Sequence, residues 1–255
     1  VVHGGSTVVD ETLERLGIEP EYVESASGVT GRFTDAETME AFAMAMAGKL
    51  NTELTARFRS AGVDAVGLSG VDGGLLSGPR KSAVRVVEDG KRKIRRGDHS
   101  GRIESVNADL LSGLLADGYT PVVSPPTAGE EGDGEVTPVN ADADRAAAAV
   151  AGALGADLVL LTDVSGVYSD PDDPDTRIDA AATPAELAAV EDAAEGFMGK
   201  KVMAAREALE GGSGRVVIAD ANVRDPVVAA LDGEGTTVER SAVAEEQAET
   251  GGETA

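Results

Sequence analysis

The chain has 255 residues, 46 of them acidic and 22 basic, for a formal charge of -24. That balance argues against nucleic acid as a partner, and the lack of cysteine excludes disulfides and thiolate metal sites. No apolar run approaches the roughly 18–20 residues of a membrane span and no basic-then-apolar leader opens the sequence, so a cytoplasmic protein without membrane contact is expected. Lysine is scarce, six residues against sixteen arginines. An acidic, lysine-poor surface suits molar salt, where a Debye length of about 3 Å removes most self-repulsion, and a salt-adapted source is expected.

Short β-branched runs alternate with longer helical stretches, which predicts an α/β protein with a mostly parallel sheet. The first strand candidate, Val1-Val2-His3, runs into His3-Gly4-Gly5-Ser6 ahead of a helix marked by Leu13 and Leu16. Glycines there let backbone N–H groups approach an anion, helped by the helix dipole; a tight turn uses glycine for steric reasons just as readily. His-Gly-Gly also lines lipase oxyanion holes. The Gly-x-Ser-x-Gly elbow that such enzymes need is missing, since Gly67-Leu68-Ser69-Gly70-Val71 lacks the last glycine.

Gly31-Arg32-Phe33-Thr34-Asp35 reads as a glycine-bounded turn carrying one arginine, whose planar fork suits a carboxylate. An exposed surface arginine is the alternative. A long helix follows, from about Asp35 to Ala61. Met39, Phe42, Ala43, Met46, Leu50, Leu54 and Phe58 recur there at spacings of three or four, with Asp35 as its cap. Asp64 to Leu68 is the next strand. Residues 83–96 read as a projecting β-hairpin turning at Asp89-Gly90. Nine of the 22 basic residues lie between Arg80 and Arg102. On so acidic a chain this basic hairpin, with Arg85, Lys91, Arg92, Lys93, Arg95 and Arg96, points to an acidic docking partner; a solvated face is the plainer reading.

Pro121 to Ser124 is a further strand. Val139-Asn140-Ala141-Asp142-Ala143-Asp144-Arg145 then opens an alanine-rich helix, Ala146 to Leu154. Any one of its polar residues could be an ordinary cap, yet three at alternate positions exceed what a cap needs. The strand Asp157 to Thr162 runs into Asp163-Val164-Ser165-Gly166-Val167-Tyr168, and ligands of open α/β sheets sit at such carboxyl ends. Lys200-Lys201-Val202 is read as a helix start, continued by Met203 to Leu209. Cations are unfavourable at a helix start unless a phosphate offsets them, or unless both are simply solvated. Strands at Arg215 to Ile218 and Thr236 to Val238 close the fold. The acidic stretch 239–255 is expected to be a disordered tail.

The succession His-Gly-Gly, Gly-Arg-Phe-Thr-Asp, Gly-Leu-Ser-Gly-x-Asp-Gly, Val-Asn-x-Asp, Leu-Leu-Thr-Asp-Val-x-Gly-Val-Tyr, Lys-Val-x-x-Ala and a final Gly-Thr resembles the amino acid kinase family, and within it N-acetylglutamate kinase. Asn140-Ala141-Asp142-Ala143-Asp144-Arg145-Ala146 and Lys200-Lys201-Val202 are closer still to the LysW-linked aminoadipate/glutamate kinases. The resemblance covers residues 1 to 238. It implies a three-layer αβα sandwich, an N-terminal substrate lobe, a nucleotide lobe from about residue 140 to 238, and a homodimer built on the long helix. It further implies ATP with Mg²⁺ carried by the nucleotide, no metal ligand from the protein, and a small acidic amino-group carrier of LysW or ArgW type as partner.

In the roles so implied, Gly4 and Gly5 receive phosphate oxygens and the reacting carboxylate. Arg32 and Asn140 bind the substrate. Asp144 orients the phosphate-clamping lysines and Lys201 stabilises the transferring phosphoryl group. Thr162, Asp163 and Tyr168 lie near the nucleotide. One departure stands out: the family's opening strand with Lys-x-Gly-Gly is missing, the first lysine being Lys49, and no initiator methionine is present. A truncated or misassigned start is expected. The alternatives to a carrier-dependent carboxylate kinase are a kinase of free N-acetylglutamate and an inactive amino-acid or nucleotide sensor.

Overall fold

The computed structural model describes residues 1–24, 30–88 and 91–244. The chain divides into two compact units, Val1–Val150 and Ala151–Ala255.

In the first unit, Val2 pairs with Val123 in a single parallel bridge rather than a full strand. Helix α1 (Ser6–Leu16) follows, with Gly17 closing it in the left-handed conformation that glycine adopts without penalty. The segment around Arg32 is not a turn: β1 (Tyr22–Glu24) and β2 (Thr30–Arg32) pair antiparallel, and Arg32 ends β2.

The long helix is present but is not uniform. It runs as α2 (Ala36–Ala43), a π-helical segment (Met44–Leu50) and α3 (Asn51–Ser60). Asp35 caps it by accepting the Thr38 N–H at 2.8 Å, which holds the Asp35 carboxyl below its ordinary range. The wider π turn shifts the buried face. Beyond it the fully buried residue is the polar Asn51, while Leu54 and Phe58 are only half-buried. Met39 and Phe42 ahead of it, and Met46 within it, pack with Val9 and Leu13 of α1 into one apolar cluster.

The sheet of this unit has β3 (Ala65–Gly70) and β4 (Leu76–Glu88) parallel to β7 (Thr120–Glu130). Its antiparallel members are β5 (Lys91–Gly101), β6 (Ser105–Val106) and β8 (Val136–Val139). β4 and β5 form the expected hairpin, longer than the spacing indicates; its expected turn, Asp89-Gly90, lies outside the described residues. Helix α4 (Ala108–Ala116), capped by Asn107, packs beside β7. Helix α5 (Ala143–Leu154) begins one turn after β8, and Asp142 is its cap, accepting the N–H groups of Asp144 and Arg145.

The second unit holds a sheet in the order β10-β12-β11-β9. β9 (Leu158–Thr162) is parallel to β11 (Arg215–Asp220), and β10 (Ala180–Ala181) is parallel to β12 (Thr236–Glu239), which runs antiparallel to β11. Helix α6 (Pro184–Ala193) is absent from the expected elements although Thr183 and Glu186 form a reciprocal capping box. Helix α7 (Gly196–Gly211) starts at Gly196, so Lys200 and Lys201 stand in its second turn, not at its start. Helix α8 (Pro226–Leu231) packs on β9 and β11. The tail expected from residue 239 is ordered further than that: Glu239 ends β12, a 3₁₀ turn spans Arg240–Val243, and the Ser241 hydroxyl donates to the Ala182 carbonyl at 2.7 Å. Residues 245–255 lie outside the described part.

Candidate active site

Gly4 and Gly5 form the turn into α1. Gly5 is the N-cap and, having no side chain, gives α1 no side-chain cap. The first N–H groups of a helix lack partners inside it, and an anion can accept them. The turn approaches the long helix closely at position 5: a Cβ there would stand 2.5 Å from Leu50 Cδ2 and 2.8 Å from Met46 Sδ, so those side-chain ends would have to move. A Cβ on Gly4 would touch the Ala143 Cβ at 3.4 Å. The N-terminal ends of α1 and α5 therefore meet at this turn, and Asp144 lies in the first turn of α5.

The Arg32 side chain is 5% exposed and is caged. Its Nη1 bonds Asp10 Oδ1; its Nη2 donates to the Ser6 carbonyl (3.2 Å), Ser6 Oγ (3.0 Å) and the Tyr22 hydroxyl (3.0 Å). Ser6 thus ties the arginine to the first turn of α1. Asp10 pairs this cation and fixes the orientation of the fork.

Asn140 is reached from Arg32 through Thr34. The Thr34 hydroxyl is 3.4 Å from the Arg32 carbonyl, and Asn140 Nδ2 donates to that hydroxyl at 3.0 Å. The Asn140 backbone bonds His99 and Gly101 in β5. Asp98, 1% exposed, accepts the Thr34 and Ser100 N–H groups. The first unit therefore gathers Gly4, Gly5, Arg32, Asn140 and Asp144 around the starts of two helices. The supporting residues Asp10, Tyr22 and Asp98 carry no local sequence signal, because their contacts to Arg32 and Thr34 span 10 to 64 residues of chain.

The basic hairpin has two faces. Pairing places Arg85 opposite Ile94, Val87 opposite Arg92 and Ala83 opposite Arg96. Arg85, Arg92 and Arg96 are exposed on that face around Ile94, itself 65% exposed. Lys91, Lys93 and Arg95 lie on the other face by alternation. There Arg95 is engaged inside the molecule, with Nη2 2.9 Å from Glu21 Oε2 and its guanidinium 4.0 Å above the Phe33 ring. Arg80 is also engaged internally, by Glu131 at 2.6 Å, and with Thr137 it holds the Glu131 carboxyl below its usual range.

In the second unit, Thr162 ends β9, its hydroxyl 3.1 Å from Asp163 Oδ1. The following loop is clamped by Thr236, whose buried hydroxyl accepts the Val167 N–H (2.8 Å) and donates to the Ile178 carbonyl (2.7 Å). Gly166, at φ 146°, lies against that hydroxyl, leaving no room for a side chain. Tyr168 bridges Arg177 beyond the loop. A cavity of about 250 Å³ opens at the carboxyl ends of β9 and β11, lined by Ser165, Asp220, Val223, Pro226 and Gly235 among others. None of these residues is an expected site residue, and Thr162, Asp163, Tyr168 and Lys201 are not in its lining. Lys201 is half-buried in the second turn of α7, and the Lys200 ammonium stands 5.5 Å from the Phe197 ring centroid. Among the described residues no three acidic or imidazole groups gather as a metal site, and no helix is long and apolar enough to cross a membrane.

Parallel strands packed with helices, and a glycine turn at a helix start, define an α/β protein. The model of the amino acid kinase family matches residues 1–220, and the chain belongs to that family. It is 47% identical over 240 residues to the LysW-aminoadipate kinase of Deinococcus radiodurans, an alignment covering 93% of this chain and 80% of the relative. It is 43% identical to the acetylglutamate kinase of Methanopyrus kandleri, covering 93% and 89%. Among solved structures, the carbamate kinase from Giardia lamblia bound to AMP-PNP shares the fold, with a TM-score of 0.62, 19% identity, and coverage of 92% of this chain and 82% of that one.

Proposed function

We propose that the protein is an ATP-dependent kinase of the side-chain carboxylate of glutamate or 2-aminoadipate, carried on a small acidic amino-group carrier of LysW type. The observation that carries the reading is the meeting of two helix starts at Gly4-Gly5 beside the caged Arg32 and the linked Asn140. Relatives named as LysW-aminoadipate or LysW-glutamate kinases, at 35–47% identity over most of the chain, supply the substrate class.

A carboxylate is ionised at neutral pH and needs no base to become a nucleophile. Its oxygen forms the new bond to the γ-phosphorus while the bond from that phosphorus to the bridging oxygen of ADP breaks. The product is an acyl phosphate. The protein's contribution is alignment and charge stabilisation. Arg32 and Asn140 hold the amino-acid end. The Gly4 and Gly5 N–H groups face the oxygens at the reacting centre, Lys201 neutralises the transferring group and Asp144 orients that lysine. Thr162, Asp163 and Tyr168 border the nucleotide, and Mg²⁺ enters with ATP. The hairpin face of Arg85, Arg92, Arg96 and Ile94 docks the carrier; Lys91, Lys93 and Arg95 take a supporting part from the opposite face. The kinase works as a homodimer through the long helix, in a salt-rich cytoplasm that the lysine-poor surface suits.

A second reading, phosphorylation of free N-acetylglutamate, is favoured by the Methanopyrus relative. Trapping the acyl phosphate with hydroxylamine at high salt separates them. Product only with carrier-linked substrate is the expected result. Equal turnover of free N-acetylglutamate overturns the carrier.

A further inference from the structure

The roles above use the backbone of the glycine turn and leave the histidine before it without a task. His3 is 9% exposed. Its Nδ1 is 3.0 Å from the Gly4 carbonyl and its Nε2 is 3.1 Å from Asn51 Nδ2. These partners fix its protonation. A carbonyl only accepts, so Nδ1 carries the hydrogen. Asn51 Nδ2 lies 2.8 Å from the Val122 carbonyl as well, which identifies it as the amide nitrogen, so Nε2 must be the acceptor. Burial lowers the His3 pKa, with the Gly4 bond opposing, and favours the same neutral form.

The bond to Gly4 constrains more than one oxygen. No peptide here is cis, and in a trans peptide the carbonyl of Gly4 and the N–H of Gly5 point in opposite directions. Two successive glycines lack the Cβ atoms that would otherwise restrict rotation of the plane between them. Holding the Gly4 carbonyl against His3 therefore turns the Gly5 N–H to the other side of the turn. Asn51 anchors the arrangement, being 5% exposed and placed directly after the π-helical segment.

We infer that His3, braced by Asn51, is a positioning residue that locks the Gly4–Gly5 peptide plane so that the Gly5 N–H faces the phosphoryl group. This rests on the reading that the Gly4-Gly5 turn receives that group. The two hydrogen bonds can be separated by substitution. The amide nitrogen of His3→Asn falls near Nδ1 and keeps the bond to Gly4. The longer His3→Gln reaches Asn51 and loses Gly4.

Steady-state kinetics on the intact chain should show His3→Asn within about threefold of wild-type kcat. His3→Gln should lose about tenfold, less than the roughly 10²–10³ that deleting such a donor costs, with KM for the carboxylate substrate unchanged. Equal kcat in both variants overturns the lock, as does a loss confined to thermal stability. Should neither variant fold, ¹⁵N spectra of the wild-type imidazole decide: protonated Nδ1 with bare Nε2 supports the lock, and the opposite tautomer overturns it. Failure of the underlying reading shows separately. In ¹⁵N-glycine-labelled wild type, Gly4 and Gly5 amide signals that ignore Mg-AMP-PNP would remove the turn from the active site whatever the variants do.

Discussion

In the first unit, Arg32 is held by Asp10 and Ser6 of α1 and Tyr22 of β1, and Asn140 bonds Thr34, whose N–H is held in turn by Asp98 of β5. In the second, the loop after β9 is held to β12 by one side-chain hydroxyl, Thr236, and by the Thr237 N–H, which donates to the Asp179 carbonyl at 2.9 Å. The contrast suits the ligands proposed for each. An amino-acid carboxylate must be aimed within tenths of an ångström at its target, and a web of bonds gives that stiffness. A nucleotide can be gripped by backbone at strand ends. The difference also teaches where each unit is vulnerable: damage in the first falls on a web of side chains, while in the second it falls on one side-chain hydroxyl and the backbone around it.

The largest effect should come from the charge that acts only during transfer. Lys201→Ala should lower kcat by about 10²–10³ with little change in unfolding midpoint, measured by hydroxamate formation and denaturant titration. A parallel loss of stability would instead give Lys201 a structural role. Next, Thr236→Val keeps the shape but strands the Val167 N–H and the Ile178 carbonyl, and should cost about 1–3 kcal/mol in urea unfolding. KM for ATP should rise while that for the carboxylate substrate stays. If both KM values move together, the loop after β9 does not serve the nucleotide alone.

Reversing Arg85, Arg92 and Arg96 to glutamate should raise KM for carrier-linked substrate about tenfold, more at low salt, and leave ATP unaffected. Arg95→Ala should mainly lower stability, because its guanidinium is spent on Glu21 and Phe33. Equal effects on carrier binding would merge the two faces of the hairpin. The smallest effect is expected at Asp35→Ala, about 1 kcal/mol for a lost cap. The Thr38 N–H depresses the Asp35 pKa in the folded state. Its stabilisation is therefore complete above the ordinary value of 3.8 and is lost as pH falls through the lower folded value. The Ala variant should show a flatter acid limb in pH-dependent unfolding.

Most strands were legible because β-branched runs and turn residues are local signals, as at Asp157 to Thr162 and Arg215 to Ile218. Some element ends were legible for the same reason, since glycines and caps mark them, as at Gly4-Gly5 and Asp35. The short pair β1 and β2 was not, since Tyr22-Val23-Glu24 is too brief for a period to show. The cage around Arg32 was not either. Asp10, Ser6 and Tyr22 meet it only after the chain has folded back, and no spacing announces that. The lysines of α7 illustrate a third limit, where Gly196 at φ 56° opens the helix a turn early.

The π-helical segment makes the long helix a rod with a change of phase in its middle. Before Met44 its buried side faces α1; after Leu50 the buried residue is Asn51, turned towards His3 and the carbonyl of Val122. Each residue of a regular helix advances the azimuth by about 100°. Removing a single residue from Met44–Leu50 would leave the first half of the rod seated and swing Asn51 by about a quarter-turn. The length of that segment, counted in whole residues, thus sets the angle at which the glycine turn is held.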